Sequence, residues 1–170
     1  MSILKVENIT KVFPGTVALS NVNIEFESGK VNALLGKNGS GKSTLVKIIN
    51  GVHEATSGRI LLDGKEIKFS DPKEAMNNGV ATVFQELSLV PGMSVAENIW
   101  MGRLPMKGKF VDWKKTYQSA QELLDSIGID INPKEMVYNL SMWQMQMIEI
   151  AKAMSFEPKV LLLDEPTSAL

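Results

Sequence analysis

Alternating apolar and polar residues mark the first part of the chain. In NVNIEFE, the apolar residues Val22, Ile24 and Phe26 alternate with polar neighbours, which is the period of a strand with one solvated face. In RILLDGKEI, Asp63 and Gly64 separate two short apolar runs, a strong hairpin signal. The pattern therefore predicts that the chain is largely β-structure up to about residue 70.

Helical signals interrupt this β pattern at two places. KVNALLG predicts a short apolar strand that runs into a glycine loop, and KSTLVKIIN then predicts a helix that ends at Gly51. In SDPKEAMNNG, Asp71 is placed to cap a helix, Pro72 suits its first position and Gly79 suits its end. The run VATVF that follows predicts a buried strand.

Residues from about 86 onward have the pattern of a helical block. SVAE at 94–97 is a capping box, and Asp112 can cap a helix whose apolar residues form one stripe before Gly128. Ser141 in LSMWQ is placed to cap the next helix, after which KVLLLDEP predicts a strand. The helical block therefore looks inserted into an α/β core.

Composition and charge exclude several classes of protein. The 170 residues are 44% apolar, enough for a globular domain with its own core, and the formal charge is −1. That balance gives no reason to expect nucleic acid or an anionic membrane as the main partner, so any phosphate chemistry has to be local. The absence of cysteine excludes disulfides and thiolate metal sites. The first residues, MSILKVENITKVF, mix charge with apolar residues and so do not resemble a signal peptide, and the apolar run VLLL is far shorter than the roughly 20 residues of a membrane span.

The motif GKNGSGKS, at 36–43, matches the phosphate-binding pattern G-x-x-x-x-G-K-[ST] and stands between a predicted strand and a predicted helix. Glycines let the backbone amides turn toward phosphate oxygens, and the helix adds its positive N-terminal end. Lys42 would reach the β and γ phosphates, where a charge pair at 4 Å is worth about 4 kcal/mol before desolvation. Ser43 would bind Mg²⁺. The alternative is an ordinary glycine-rich turn.

Two acidic residues follow the last predicted strand. Asp164 and Glu165 lie at the carboxyl end of VLLL, which is where parallel sheets bind their ligands. Asp164 can hold Mg²⁺, and Glu165 can polarise an attacking water. The alternative is an acidic turn. The long interval from Lys42 to Asp164 and the lack of an N-K-x-D motif disfavour a small GTPase.

These motifs together resemble the ATP-binding cassette of ABC transporters. The stretches that carry the resemblance are FPGTVAL, GKNGSGKSTLVKIINGV, VATVFQELSLVPGMSVAENI, QMQMIEIAKAM and LLLDEPTSAL, which span nearly the whole chain. Within the family, the chain is most similar to the first cassette of the tandem ATPase subunits of monosaccharide importers. The resemblance implies an α/β fold in which a P-loop NTPase core carries an N-terminal antiparallel β subdomain and an inserted α-helical subdomain. The β and P-loop core would comprise residues 1–85 and 156–170, and the helical subdomain residues 86–155.

The resemblance also assigns roles to individual positions. Phe13 would stack on adenine, unless it is simply a core residue at a strand end. Gln85 would contact Mg²⁺ and the attacking water, unless it is an ordinary polar residue after a strand. Residues 86–101 would lie near the surface that couples to the membrane subunit. The nucleotide-binding set would be Phe13, Gly36, Lys37, Asn38, Gly39, Ser40, Gly41, Lys42, Ser43 and Thr44; Mg²⁺ would be held by Ser43, Gln85 and Asp164, and catalysis carried by Glu165, Gln85 and Lys42.

The segment LSMWQ, at 140–144, matches the family's L-S-G-G-Q signature, which acts on ATP held by the opposite cassette of a dimer. Ser141 and Gln144 keep the hydrogen-bonding side chains, whereas Met142 and Trp143 replace the glycines that let a phosphate approach. Sugar-importer cassettes often replace the first of these glycines but keep the second. Two hypotheses are open: either the Trp143 ring turns aside and the dimer site forms, or this half-site hydrolyses ATP slowly or merely holds it.

Two departures from the family pattern concern the end of the chain and its only histidine. Ser168 and Ala169 match the start of a loop whose next residue is normally aspartate, and the chain ends at Leu170. The sequence is therefore expected to be a C-terminally truncated piece of a longer protein. His53 precedes Asp164, so it is not the family's γ-phosphate sensor, and it is expected to be a surface loop residue.

The expected function is that of an ATP-hydrolysing subunit, with ATP and Mg²⁺ as cofactors, that drives the import of a monosaccharide. Its expected partners are a second cassette, transmembrane permease subunits and, indirectly, a sugar-binding protein, with no nucleic acid. The expected location is the cytoplasmic face of the plasma membrane, bound peripherally. One alternative is a soluble ABC protein of DNA repair or translation, which the low arginine count (Arg59 and Arg103) disfavours. The other is that the 170 residues alone bind nucleotide without turnover.

Overall fold

Two compact units make up the chain, Met1–Ala81 and Thr82–Leu170. A computed structural model describes residues 2–84 and 86–164. In the first unit, four strands form an antiparallel sheet in the order β2-β1-β3-β4. The strands are β1 (Ser2–Phe13), β2 (Thr16–Glu27), β3 (Ser57–Leu62) and β4 (Lys65–Ile67). The predicted N-terminal antiparallel β subdomain is thus confirmed.

Strand β1 is one of the two inner strands of this sheet, and its apolar residues pair on both sides. Val6 lies opposite Ile24 of β2 and Ile60 of β3, and its side chain is 1% exposed. Along β2 the half-buried Val22, Ile24 and Phe26 alternate with exposed neighbours, as the sequence pattern predicts. The Asp63-Gly64 turn joins β3 to β4, with φ of 50° and 75° at its two residues, as a type I′ hairpin requires.

At Gly58, the backbone of β3 comes close to a bulge in β1. Its φ is +92°, and a Cβ there would lie 2.4 Å from the Asn8 carbonyl oxygen. We expect Gly58→Ala to lower the free energy of unfolding by about 3 kcal/mol, because backbone strain and a steric clash add. Gly64→Ala is the matched control, since Gly64 has φ +75° with nothing within 4 Å. If urea-induced unfolding shows the same loss of unfolding free energy for both variants, the close approach at Gly58 makes no contribution of its own.

Two helices complete the first unit. Helix α1 (Lys42–Ile49) follows the phosphate-binding motif and buries Leu45, Ile48 and Ile49, and the chain turns at Gly51 with φ 76°. Helix α2 (Pro72–Asn77) begins as predicted, with the Asp71 side chain accepting a hydrogen bond from the Glu74 N–H at 2.8 Å. The predicted strand VATVF is present as β5 (Val80–Val83).

The strand predicted over KVNALLG is absent. Residues 31–37 have no regular secondary structure, and the side chains of Val31 and Leu35 are exposed. A strand exists only through hydrogen bonds to a neighbour, and no strand within 2–84 and 86–164 pairs with this segment. Its apolar run therefore does not by itself produce a strand.

The second unit is mainly helical. Its helices are α3 (Val95–Ile99), α4 (Trp113–Ser126) and α5 (Met142–Met154), and a 3-10 turn covers Val137–Asn139. Ser94 and Glu97 form the predicted capping box, and Asp112 accepts a hydrogen bond from the Lys115 N–H at 3.0 Å. Leu124 and Ile148 are fully buried at the centre of an apolar cluster that all three helices share.

Short strands precede and follow these helices along the chain. Strands β6 (Met106–Lys107) and β7 (Phe110–Val111) form a hairpin between α3 and α4. Strand β8 (Val160–Leu163) pairs with β5, and the Asp164 N–H donates to the Val83 carbonyl at 3.0 Å. No helix in the described part of the chain is both long and apolar enough to cross a membrane. The division into a core of 1–85 plus 156–170 and a helical subdomain of 86–155 stays a prediction.

Candidate nucleotide-binding site

The phosphate-binding motif forms a tight glycine loop directly before α1. Its turn closes with a hydrogen bond from the Ser40 N–H to the Lys37 carbonyl at 3.1 Å. Gly39 and Gly41 have φ of 78° and 91°, a region that glycine alone adopts without strain. A Cβ at Gly41 would also lie 2.6 Å from the Ala18 carbonyl oxygen. The loop therefore depends on glycine at the positions where the motif has it.

Lys42 lies folded over this loop. Its Nζ donates to the carbonyl oxygens of Gly36 and Lys37, at 2.8 and 3.2 Å. These acceptors are neutral, whereas phosphate oxygens are charged and form stronger hydrogen bonds with an ammonium group. The ammonium group is thus held at the loop by acceptors that an anion can replace.

The start of α1 fits a phosphate group. Gly41 is the N-cap residue, and it gives no side-chain hydrogen bond to the first-turn amides. A helix N-terminus carries partial positive charge and amides that point outward. The Lys42 ammonium group and the uncapped first-turn amides of α1 therefore lie together at the glycine loop. These hydrogen-bond donors fit a polyphosphate. Thr44 lies half-buried in the first turn of the same helix.

Phe13 ends β1 and contacts two other side chains. The Lys11 ammonium lies 4.9 Å from the centroid of the Phe13 ring, and the His53 ring packs edge to face with it at 5.4 Å. Lys11 also donates to the Glu54 carbonyl at 2.7 Å. His53 is in a loop, as predicted, but it is half-buried against Phe13, a contact that the sequence pattern did not predict.

Next to His53, the side chain of Glu54 forms an ion pair with Lys68 at 2.5 Å. The hydrogen bond and the charge of Lys68 hold the pKa of Glu54 below its usual value. Both side chains are largely exposed, so the pair contributes little to stability.

The acidic end of β8 lies in the second unit. Asp164 is half-buried directly after the strand, so its carboxylate stands at the predicted carboxyl end. Gln85 and Glu165, and with them Ser168 and Ala169, lie outside the described residues. Their predicted roles are therefore untested by the structure.

The signature segment begins α5 as predicted. The Ser141 hydroxyl accepts from the Gln144 N–H at 3.3 Å, and the Gln144 side-chain oxygen accepts from the Ser141 N–H at 2.9 Å. This capping box uses the oxygen atoms of the two side chains that the resemblance assigns to the opposite nucleotide, while the Ser141 hydroxyl and the Gln144 side-chain amide are also hydrogen-bond donors. Met142 and Trp143 form the first turn, with side chains 49% and 52% exposed, so the tryptophan ring is not packed into the core.

A buried polar cluster on α5 was missed by the sequence reasoning. Glu149 is 8% exposed, and its carboxylate accepts hydrogen bonds from the backbone N–H and the hydroxyl of Ser88. Lys152, one turn further along the helix, donates to the same hydroxyl at 2.9 Å. The signal in the sequence was a lone carboxylate within the apolar stretch QMIEIAKAM. Its partner lies 61 positions away, which no local pattern reveals.

The fully buried side chain of Asn98 holds the same loop at a second point. Its Oδ1 accepts from the Val90 N–H at 2.7 Å, and its Nδ2 donates to the carbonyl oxygens of Val90 and Ser94. Residues 88–94, the segment that follows Gln85, are therefore fastened to both α3 and α5. We call this segment the post-Gln85 loop.

A glycine loop of this geometry before an uncapped helix defines the class of phosphate-binding-loop proteins. The sequence profile of the family described as ABC transporter matches residues 19–168. Because that match covers most of the chain, the protein belongs to the ABC transporter family, and the resemblance inferred from the motifs is confirmed. Family membership implies ATP binding.

Individual relatives agree with this assignment. The chain is 49% identical over 168 residues to the galactose/methyl galactoside import ATP-binding protein MglA of Escherichia coli K12, covering 99% of this chain and 33% of that protein. The protein of the same name in Fusobacterium nucleatum is also 49% identical, with 99% and 34% covered. The chain thus spans about one third of the length of these relatives.

Solved structures confirm the fold class. A crystal structure of the ADP conformation of an ATP-binding cassette of an ABC transporter matches with a TM-score of 0.85. The two chains are 30% identical, and the match covers 100% of this chain and 71% of the other. The cassette fold predicted from the motifs is therefore confirmed.

Proposed function

We propose that this chain is the nucleotide-binding part of an ATP-hydrolysing subunit that drives monosaccharide import. The observation that carries the proposal is the glycine loop, in which Lys42 and the uncapped amides of α1 converge. The importer assignment is supported by the similarity to galactose/methyl galactoside import proteins over 99% of the chain.

In this proposal, the phosphates of ATP lie in the loop of residues 36–44. The Lys42 ammonium would leave the carbonyl oxygens of Gly36 and Lys37 and donate to the β and γ phosphates. The first-turn amides of α1 would donate to the remaining oxygens, so the developing negative charge of phosphoryl transfer meets fixed donors. Phe13 would stack on the adenine and so position the base end of the nucleotide.

Ser43, Gln85 and Asp164 would hold Mg²⁺. A hydroxyl, an amide oxygen and a carboxylate are hard oxygen donors, which this ion prefers. When bound, the ion neutralises phosphate charge and orients the phosphate oxygens. Glu165 would accept a hydrogen bond from the attacking water and align it with the γ phosphate, with Gln85 as a second contact to that water.

The partners in this proposal follow from the same family. A second cassette would supply the opposite half of the site through Ser141 and Gln144, and permease subunits would contact residues 86–101. A sugar-binding protein would act indirectly through the permease. The subunit would lie peripherally on the cytoplasmic face of the plasma membrane. Because Ser141 and Gln144 cap each other through their oxygen atoms, a phosphate at α5 would meet the Ser141 O–H and the Gln144 side-chain N–H donors together with backbone amides.

Substitution of Trp143 tests whether its ring turns aside and the dimer site forms, or whether the ring weakens this half-site. If its ring weakens the half-site, Trp143→Gly is expected to raise permease-stimulated ATP turnover severalfold, because a phosphate could approach the helix backbone. The measurement is steady-state phosphate release with the membrane partner present. Trp113→Gly, which removes another exposed tryptophan from the first turn of a helix, is the control for a general effect of losing a ring. Unchanged or lower turnover would support the alternative, in which the ring turns aside.

The experiment that tests the whole proposal compares activators of ATP hydrolysis. Turnover by the purified protein is measured alone, with permease in lipid, and with DNA or ribosomes. We expect low activity alone and strong stimulation by the permease only, since transport coupling makes hydrolysis depend on the membrane partner. Stimulation by DNA or ribosomes instead would contradict the importer assignment and support a soluble ABC protein.

A further inference from the structure

A basic and aromatic surface lies between α3 and α4. The segment RLPMKGKFVDWKK, at 103–115, contains five basic residues and one acidic residue, in a chain whose formal net charge is −1. We call this segment the basic hairpin, because β6 and β7 form its centre. The average charge of the chain conceals this local concentration of positive charge.

Three large apolar side chains of the basic hairpin are exposed. Phe110 is 80% exposed, Met106 57% and Trp113 45%. Single exposed apolar residues are common on protein surfaces, but here three lie within eight positions, with Met106 and Phe110 on opposite faces of the hairpin, and such a concentration calls for a partner. Lys107 lies directly opposite Phe110 in the hairpin register, so a cation and an aromatic ring share one face.

The lysines of this surface are available for an anionic partner. Lys107, Lys109, Lys114 and Lys115 are exposed, and none of the ion pairs in the described part of the chain involves them. Asp112, the one acidic residue here, uses its carboxylate to cap α4. Four positive charges therefore face solvent beside the apolar side chains.

The hairpin is held in place at its base, not at its tip. Arg103 stacks on the Phe156 ring at 3.4 Å and donates to the Ser155 hydroxyl at 2.6 Å, while the Asp112 N–H donates to the Pro105 carbonyl at 2.8 Å. An isolated two-stranded hairpin is marginally stable, so these contacts explain why it forms. They leave the tip, at Lys107 to Phe110, free of the core.

We infer that the basic hairpin binds the surface of an anionic phospholipid bilayer directly. Lysine ammonium groups suit lipid phosphates, and exposed Phe, Met and Trp side chains suit the boundary between headgroups and acyl chains. Nucleic acid fits less well, because the one arginine of the segment is engaged with Ser155 and Phe156. This contact goes beyond the proposed function, in which the permease alone places the subunit at the membrane.

The test is cosedimentation of the purified protein, without permease, with lipid vesicles. We expect binding to phosphatidylcholine vesicles with roughly one third phosphatidylglycerol, little binding to phosphatidylcholine alone, and loss of binding at high salt. The double variant Lys107→Glu/Lys109→Glu is expected to lower the partition coefficient at least about twentyfold, and Phe110→Ser about tenfold.

The control is Lys65→Glu/Lys73→Glu, which makes the same charge change at two exposed lysines of the first unit. An equal loss in the control, or normal binding by the hairpin variants, would overturn the inference. So would binding of an RNA oligonucleotide through the same lysines with no binding to vesicles. Because permease is absent, a negative result here leaves the ATPase comparison of the proposed function unaffected.

A second measurement reports the position of the hairpin tip. Phe110→Trp keeps an aromatic anchor and adds a fluorophore, so its additional emission is expected to shift to the blue on anionic vesicles and to be quenched by brominated lipids. Cosedimentation without any change in that emission would place the lipid contact elsewhere on the protein and contradict the inference.

Discussion

Glu165→Gln is expected to lower ATP hydrolysis by about 10²–10⁴-fold, while ATP binding stays within about threefold of the original protein. An amide keeps the shape of the side chain but is a poor acceptor for a proton of the attacking water. Binding is unaffected in this view because the phosphates are held by the loop around Lys42. The measurements are single-turnover phosphate release and the Kd for ATP, both with Mg²⁺ present.

Glu66→Gln is the control for this prediction, since Glu66 is an exposed carboxylate on β4. Hydrolysis by the Glu165 variant within tenfold of the original would mean that another group aligns the water. If the 170 residues alone hydrolyse ATP and Glu165→Gln abolishes it, the hypothesis of binding without turnover is wrong for this piece.

Lys42→Ala is expected to weaken ATP binding about a hundredfold. The attraction between the ammonium group and a phosphate charge is about 4 kcal/mol before desolvation. The net contribution to binding is smaller, because water has to be removed and two hydrogen bonds to carbonyl oxygens have to break. AMP lacks the β and γ phosphates, so its weaker affinity is expected to change little. Titration calorimetry with ATP and AMP measures both values.

Lys73→Ala removes the same charge from an exposed position on α2 and serves as the control. An equal loss of affinity for ATP and AMP in the Lys42 variant would point to a damaged loop instead of a lost phosphate contact. Thermal unfolding without nucleotide separates the two cases, because a damaged loop lowers the unfolding temperature, whereas Lys42 itself contributes to the loop only two hydrogen bonds, to the carbonyl oxygens of Gly36 and Lys37, within the described residues.

Local signals predicted much of the fold. The Asp63-Gly64 turn, the Asp71 and Asp112 caps and the capping boxes at Ser94 and Ser141 all form, because each depends on residues within a few positions of one another. The glycine loop forms for the same reason. The cassette fold was then predicted from motifs spread along the chain.

Features that depend on distant residues were not predicted. The apolar run at 31–35 looked like a strand, but a strand needs a hydrogen-bonding neighbour, which the local pattern cannot supply. The contact of His53 with Phe13 and the burial of Glu149 against Ser88 join residues far apart in the sequence. The residue types show that these side chains can form such contacts, but the local sequence does not show which residues they contact.

The fastening of the post-Gln85 loop has a mechanical consequence. The hydrogen bonds of Glu149 and Asn98 hold this loop in one conformation. A displacement of Ser88 is therefore transmitted to α5 instead of being absorbed by bending of the loop. Glu149 lies in the middle of α5, so the part of this helix that leads back to the Ser141 cap is a stiff rod about 12 Å long. A displacement of the loop is therefore carried to the signature segment through half of one helix, to which the buried carboxylate of Glu149 attaches the loop.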